Sequence, residues 1–438
     1  MIYGGAGPRS RAFFRAARGV LPGGVDSPVR SFAAVGGSPV FFREGRGAYL
    51  TDVDGHRYLD LVGSWGANLL GNAPPSVVAA VRRAAGSGLS FGAPSPLEHA
   101  LAVEIRRAVP VLERLRFVSS GTEATMSAIR VARGATGRSG ILKFAGGYHG
   151  HSDGLLARAG SGVGTQSLPG SAGVPAAVVR DTTVVPYNDL EAARAAFEAA
   201  PSEIAAVIVE PVAANMGLVL PAPGFLPGLE RLCRDHGALM IADEVITGFR
   251  LRRGGAYAEL GFRPDLVTLG KVIGGGVPIG AYGGRRELLE TVAPLGPVYQ
   301  AGTLAGNPLA MAAGRAVLAA LTPARYARLE RVSAELEREL TKAAGELDVG
   351  PVTVQRAGSM LGIFFTRPPV TDFVSAQRSD RSRYAAFFHA ALRGGVYLPP
   401  SPLETVFVSM ATTAADLSAA LPALRGALRA ARPQRQGR

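Results

Sequence analysis

Three short apolar runs most narrowly limit what this chain can fold into: 205–210 (AAVIVE), 239–243 (LMIAD) and 266–269 (LVTL). Each is of strand length and apolar without alternation, which suits parallel strands buried on both faces. Segments with helical spacing, 189–199 and 226–236, lie between and before them. Upstream, 115–119 and 141–144 read as further strands around a helix at 122–136. This alternation predicts an α/β fold with a mainly parallel, doubly wound central sheet.

The flanks read differently. Residues 10–20 predict a helix ended by Pro22-Gly23-Gly24, followed by strands at 39–43 and 48–52. Asp54-Gly55 predicts a hairpin into 57–59. Beyond 321 come a charged helix (325–347), a strand (362–365) and helices at 384–393 and 414–431. The expected division is therefore an N-terminal segment at 1–72, a large domain at 73–320 and a small domain at 321–438. The first and last together would build a smaller α+β unit. The stretch 154–175 is rich in Gly, Ser and Ala, and a loop of that length inside a compact domain is functional or disordered.

The formal net charge of +13 raises the question of nucleic acid. The arginines, however, are scattered singly, with no basic run or basic-aromatic stripe, so no nucleic-acid partner is expected. No apolar stretch reaches the ~18 residues of a membrane span. Met1 to Arg18 lacks the compact apolar run of a secretory signal, and Cys233 is the only cysteine. The expectation is a cytoplasmic protein without a membrane partner.

Ligands in open α/β sheets gather outside the carboxyl ends of the strands. Ser119-Ser120-Gly121-Thr122 closes a strand and opens a helix there, which suits a phosphate, although a hydroxyl cap without a ligand is the commoner case. Asp243 ends a buried strand, where an acid needs a partner. It could bind a metal, orient a histidine, pair with a protonated pyridine nitrogen, or simply cap its loop. Lys271 follows the 266–269 strand and precedes a glycine run; Lys143 and Lys342 are the only other lysines. An amine held there among small residues loses hydration, which lowers its pKa toward what imine chemistry needs. Val272 stands where a phosphate-binding loop would need Ser or Thr, so that reading of Gly270-Lys271 is rejected. The spacing of His149, His151 and Asp153 suggests a metal, yet no other histidine sits at a comparable strand end. Tyr148 beside them could instead stack on a planar ring.

Taken together, LPGGVDSPVRSF, DLVGSWG, SSGTEATMSAIRVARGATGR, GGYHGHSD, VEPVAANMG, ADEVITGFR, PDLVTLGKVIGGGVPIGAYGGR, GPVYQAGTLAGNP and YLPPSPLE resemble the class III aminotransferase group of fold-type-I pyridoxal-phosphate enzymes. The likeness covers nearly the whole chain, and LPGGVDSPVR and GPVYQAGT resemble the aminomutase branch of that group. It implies pyridoxal 5'-phosphate and pyridoxamine 5'-phosphate as cofactor. Lys271 would carry the Schiff-base link and move the substrate proton, and Asp243 would keep the pyridine nitrogen protonated. Ser120, Gly121 and Thr122 match the phosphate cup, with Thr303 reaching across from a second subunit of a homodimer. Tyr148 and Val245 would cover the two ring faces. Asn215 matches a cofactor-side position; Ser27, Arg30, Trp65, Ser161 and Glu404 match substrate-side positions. The loop at 154–175 would be a gate over the site.

The reaction this resemblance implies is an amino shift from C4 to C5 of glutamate 1-semialdehyde, giving 5-aminolevulinate for tetrapyrrole synthesis. A transient contact with the enzyme that supplies the semialdehyde would be compatible with it. The rival reading is another class III aminotransferase acting on an amino acid or amine. Some positions depart from the family pattern: Gly71 to Pro75 lacks histidines, Thr405-Val406 replaces Ala-Gly after Glu404, Thr412 stands in place of a histidine, and 163–171 is unusual.

Overall fold

In the computed structural model, residues 5–158 and 168–433 are described. The centre is a seven-stranded sheet in the order Arg114–Val118, Gly280–Gly284, Leu266–Gly270, Leu239–Asp243, Ile204–Val209, Gly140–Phe144, Thr182–Val185. The pairings from Leu266–Gly270 to Thr182–Val185 are all parallel, and only Gly280–Gly284 runs against its neighbours. Every residue of Ile204–Val209, Leu239–Asp243 and Leu266–Gly270 is buried. The unbroken apolar runs thus report burial on both faces.

Two strands of this sheet were not expected. Thr182–Val185 is a short edge strand. Gly280–Gly284 reads GAYGG, a composition that ordinarily weakens a strand. Glycine is needed there because the backbones press together. A Cβ on Gly280 would lie 2.1 Å from the carbonyl oxygen of Ser120, and one on Gly284 2.1 Å from that of Asp265.

Helix Gly121–Thr136 starts where Ser120 accepts the Glu123 N–H and stops at Gly137, whose φ of 69° is left-handed. Its alanine-rich buried face lies across Leu266–Gly270 and Gly280–Gly284. This packing aims the helix N-terminus at the carboxyl edge of the sheet.

The two chain ends build one further sheet. Phe42–Arg46, Tyr49–Asp52 and Arg57–Asp60 form an antiparallel meander, with Gly55 at φ 94° in the expected hairpin. Val396–Tyr397 then adds in parallel to Arg57–Asp60. A third sheet pairs Thr353–Ala357, Met360–Phe364 and Val406–Phe407. Of the expected gate, Ala157–Arg158 pairs with Leu168–Pro169. Its middle, with Ser161, lies outside the described residues. Among the described residues, no helix is long and apolar enough to cross a membrane.

Candidate active site

At the carboxyl ends of the parallel strands lies a cavity of about 380 Å³. Its walls include Ser120, Gly121, Thr122, Tyr148, Asn215, Asp243, Val245 and Lys271, eight of the residues singled out in the sequence. They come from five separated segments, which the strand order brings to one edge.

Asp243 is the last residue of its strand and is buried. Its Oδ1 accepts the Thr268 hydroxyl at 2.9 Å and the Val245 N–H at 3.1 Å. Thr268 is its register partner on the adjacent strand, which places that hydroxyl. Oδ2 lies 2.7 Å from Nδ1 of His149. Of the roles left open for Asp243, orienting a histidine is therefore present. His149 is buried, and its Nε2 has no hydrogen-bond partner among the described residues. His151, two residues on, is exposed, so the histidine run splits between interior and surface.

Lys271 begins the short helical turn Lys271–Gly274 directly after the strand Leu266–Gly270, with φ at 45°. A left-handed backbone in a residue other than glycine persists only where the surroundings enforce it. Burial lowers the pKa of its amine, opposed by the nearby carboxylates of Asp243, Glu210 and Glu404. Burial raises Glu404 itself to about 7, while the Lys271 charge pulls it down. Glu404 does not line the cavity but acts on Lys271 through this charge coupling.

Glu210 was missed in the sequence, although it ends its apolar strand run as Asp243 ends the next. Its Oε1 accepts the Tyr148 N–H at 3.1 Å. Oε2 accepts the Ala214 N–H and the Asn215 side-chain amide, each at 2.9 Å. One buried carboxylate thus fixes both the aromatic and the amide of the cavity wall. Thr405, one of the departures from the family pattern, donates to Ala214 O at 2.9 Å and Gly217 O at 2.7 Å, tying the Glu404 segment to the Asn215 loop.

Lys143, the other lysine near the sheet edge, is buried and donates to the carbonyl of Leu155 at 2.8 Å. Burial lowers it to about 8, with Glu210 opposing. Being committed to that carbonyl and absent from the cavity wall, it leaves Lys271 as the amine of the site.

Other expected residues stand apart. Ser27, Arg30 and Trp65 do not line the cavity, and Arg30 is exposed. Ala67, two residues after Trp65, does line it. Thr303 is exposed in a separate groove with Phe91 and Leu304.

The donor set suits a flat, phosphorylated pyridine aldehyde. Asp243 offers a carboxylate for a ring nitrogen, Lys271 an amine for a carbonyl, and Ser120 to Thr122 a helix N-terminus with hydroxyls for a phosphate. Tyr148, half-exposed, and Val245 present flat and branched surfaces to the same space.

Residues 32–428 match the class-III aminotransferase family, and the chain belongs to it. The glutamate-1-semialdehyde 2,1-aminomutase of Roseiflexus castenholzii is 57% identical over 97% of this chain and 99% of its own length. An omega-transaminase from Sphaerobacter thermophilus superposes with a TM-score of 0.91 at 34% identity, covering 98% of both chains. A lysine-to-alanine variant of the Pseudomonas aeruginosa glutamate-1-semialdehyde aminomutase, solved in complex with PMP, gives 0.86 at 30% identity, covering 97% of this chain and 94% of that one.

Proposed function

We propose that this chain is a glutamate-1-semialdehyde 2,1-aminomutase, moving the amino group from C4 to C5 of its substrate to give 5-aminolevulinate for tetrapyrrole synthesis. The observation that carries the chemistry is Lys271, its amine pKa lowered by burial, in one cavity with Asp243. The choice of substrate rests on the near-complete, 57% identical match to an aminomutase.

Bound in this cavity, pyridoxal phosphate would supply an aldehyde carbon that takes up an amine, pyridoxamine phosphate the amine itself, and both an electron-withdrawing ring. Asp243 holds a proton at the ring nitrogen, braced by His149 and Thr268. Ser120, Gly121 and Thr122 would bind the phosphate, and Tyr148, Val245 and Asn215, which line the same cavity, would hold the ring. Lys271 Nζ removes and returns the proton at the substrate carbons. That role needs an amine neutral at working pH, which the direction of its pKa shift favours. Ser27, Arg30, Trp65 and Glu404, outside the cavity wall itself, would serve the substrate side, with the planar fork of Arg30 suited to a carboxylate.

The exposed position of Thr303, beside exposed Phe91 and Leu304 and off its own cavity, supports a homodimer in which it completes the partner's phosphate site. A cytoplasmic location and the division at residues 72 and 320 complete the reading, with a transient contact to the enzyme supplying the semialdehyde.

The test is turnover of glutamate 1-semialdehyde by the purified protein without added amino donor or acceptor, beside Lys271→Ala. Formation of 5-aminolevulinate that drops by roughly 10³-fold or more in the variant is expected. Activity only with an external amino donor would assign the chain to the transaminases instead.

A further inference from the structure

Gly63, Ser64, Trp65 and Gly66 all have positive φ, at 54°, 51°, 56° and 93°. The Gly66 N–H donates to Gly63 O at 3.1 Å, and the Asn68 N–H to the same oxygen at 2.9 Å. The segment is a single turn wound in the left-handed sense, with two residues in it that resist that conformation. Such a turn survives only if its surroundings hold it.

Two buried charges do so from opposite ends. Asp60 Oδ1 accepts the N–H groups of Val62 at 3.0 Å and Gly63 at 2.9 Å. At the other end, Nη2 of Arg250 donates to Gly66 O at 2.6 Å. Nη1 of Arg250 donates to the Ser359 hydroxyl at 3.0 Å and to Val408 O at 3.3 Å. The guanidinium lies 5.0 Å from the centre of the Phe407 ring, and that ring packs under Gly66, where an added Cβ would meet it at 3.0 Å. Arg250 is 1% exposed. It belongs to the loop that leaves Asp243 and Val245, so one guanidinium joins the ring-holding strand end, the Trp65 turn and the C-terminal segment.

We propose that Arg250 is a positioning residue that clamps the Gly63–Gly66 turn and thereby sets Trp65 on the substrate side of the cavity. The assignment rests on the substrate-side reading of Trp65. A planar fork with several donors can satisfy three acceptors at once, which an ammonium on a flexible stem cannot do in the same geometry.

Trp65 is the only tryptophan in the chain, so selectively excited tryptophan emission of the holoenzyme reports this turn. In Arg250→Met, the emission is expected to move to longer wavelength and acrylamide quenching to rise. The KM for glutamate 1-semialdehyde should rise about tenfold with kcat within about threefold, a loss of substrate binding rather than of chemistry. Arg250→Lys should fall between wild type and Met on both readouts, and it carries the test if Arg250→Met does not fold. Unchanged emission and quenching in a folded variant would overturn the clamp. Altered fluorescence with unchanged KM would keep the clamp and remove Trp65 from the substrate side.

Discussion

His149 turns its Nδ1 onto Oδ2 of Asp243 at 2.7 Å, so the loop after one parallel strand braces the acid that ends another. A hydrogen bond to a charged group contributes about 1.5–3 kcal/mol. Without it, Asp243 keeps, among the described residues, the Thr268 hydroxyl and the Val245 N–H. His149→Ala should therefore weaken pyridoxal phosphate binding by about ten- to a hundredfold. Titration of the apoprotein, followed by cofactor absorbance, measures it; unchanged affinity would mean the imidazole only fills space.

Glu404 gives the site a pH dependence of definite sign. Its folded-state pKa, about 7, lies above the ordinary 4.5, so the folded protein binds more protons between those values. Stability from this group is complete below 4.5 and declines as pH rises through 7. Its ionised carboxylate also supports the charge on Lys271. Glu404→Gln removes both effects. The acid limb of the pH–rate profile should move down by roughly half a unit to one unit, and the variant should gain stability relative to wild type as pH rises from 4.5 to about 7. Urea unfolding across that range and a pH series of turnover supply the two readings.

Lys143 should show the opposite pH trend. Its folded pKa of about 8 lies below the ordinary 10.5, so the unfolded chain binds more protons between them. Wild-type stability should rise with pH over that window, by up to ~3 kcal/mol, and Lys143→Met should lack the rise. Denaturation midpoints at pH 7.5 and 9.5 decide it.

Gly280→Ala tests the close approach of two backbones. The new methyl would meet the Ser120 carbonyl at 2.1 Å and press on the start of helix Gly121–Thr136. A loss of about 1–3 kcal/mol is expected, together with weaker retention of the cofactor phosphate. Thermal unfolding and cofactor release on dialysis would show whether the two losses go together.

The sequence made the buried parallel strands legible because their apolar runs have no alternation to confuse with an exposed face. Lys271 and Asp243 were legible because charge is rare at the end of such runs. Gly280–Gly284 was hidden, since a strand chosen for backbone proximity carries the residues of a turn. Glu210 could have been found by the rule that singled out Asp243. The pairing of His149 with Asp243 could not, because spacing along the chain says nothing of which strand ends become neighbours. Arg250 was equally hidden: its partners Gly66, Ser359 and Val408 lie far apart in sequence.

The sheet shared by the chain ends also sets an order on the protein's birth. Leu59 pairs with Val396, and Phe407 donates its N–H to Leu61 O, so more than three quarters of the sequence separates the partners. On the ribosome the early meander emerges with one edge bare and must wait for residues 396–397 to emerge as its parallel neighbour. The central sheet, by contrast, draws its strands from the middle of the chain and can close before then. A message cut short before residue 396 would thus leave the Lys271 cavity with most of its walls, but with an open edge on the Arg57–Asp60 strand and no Glu404.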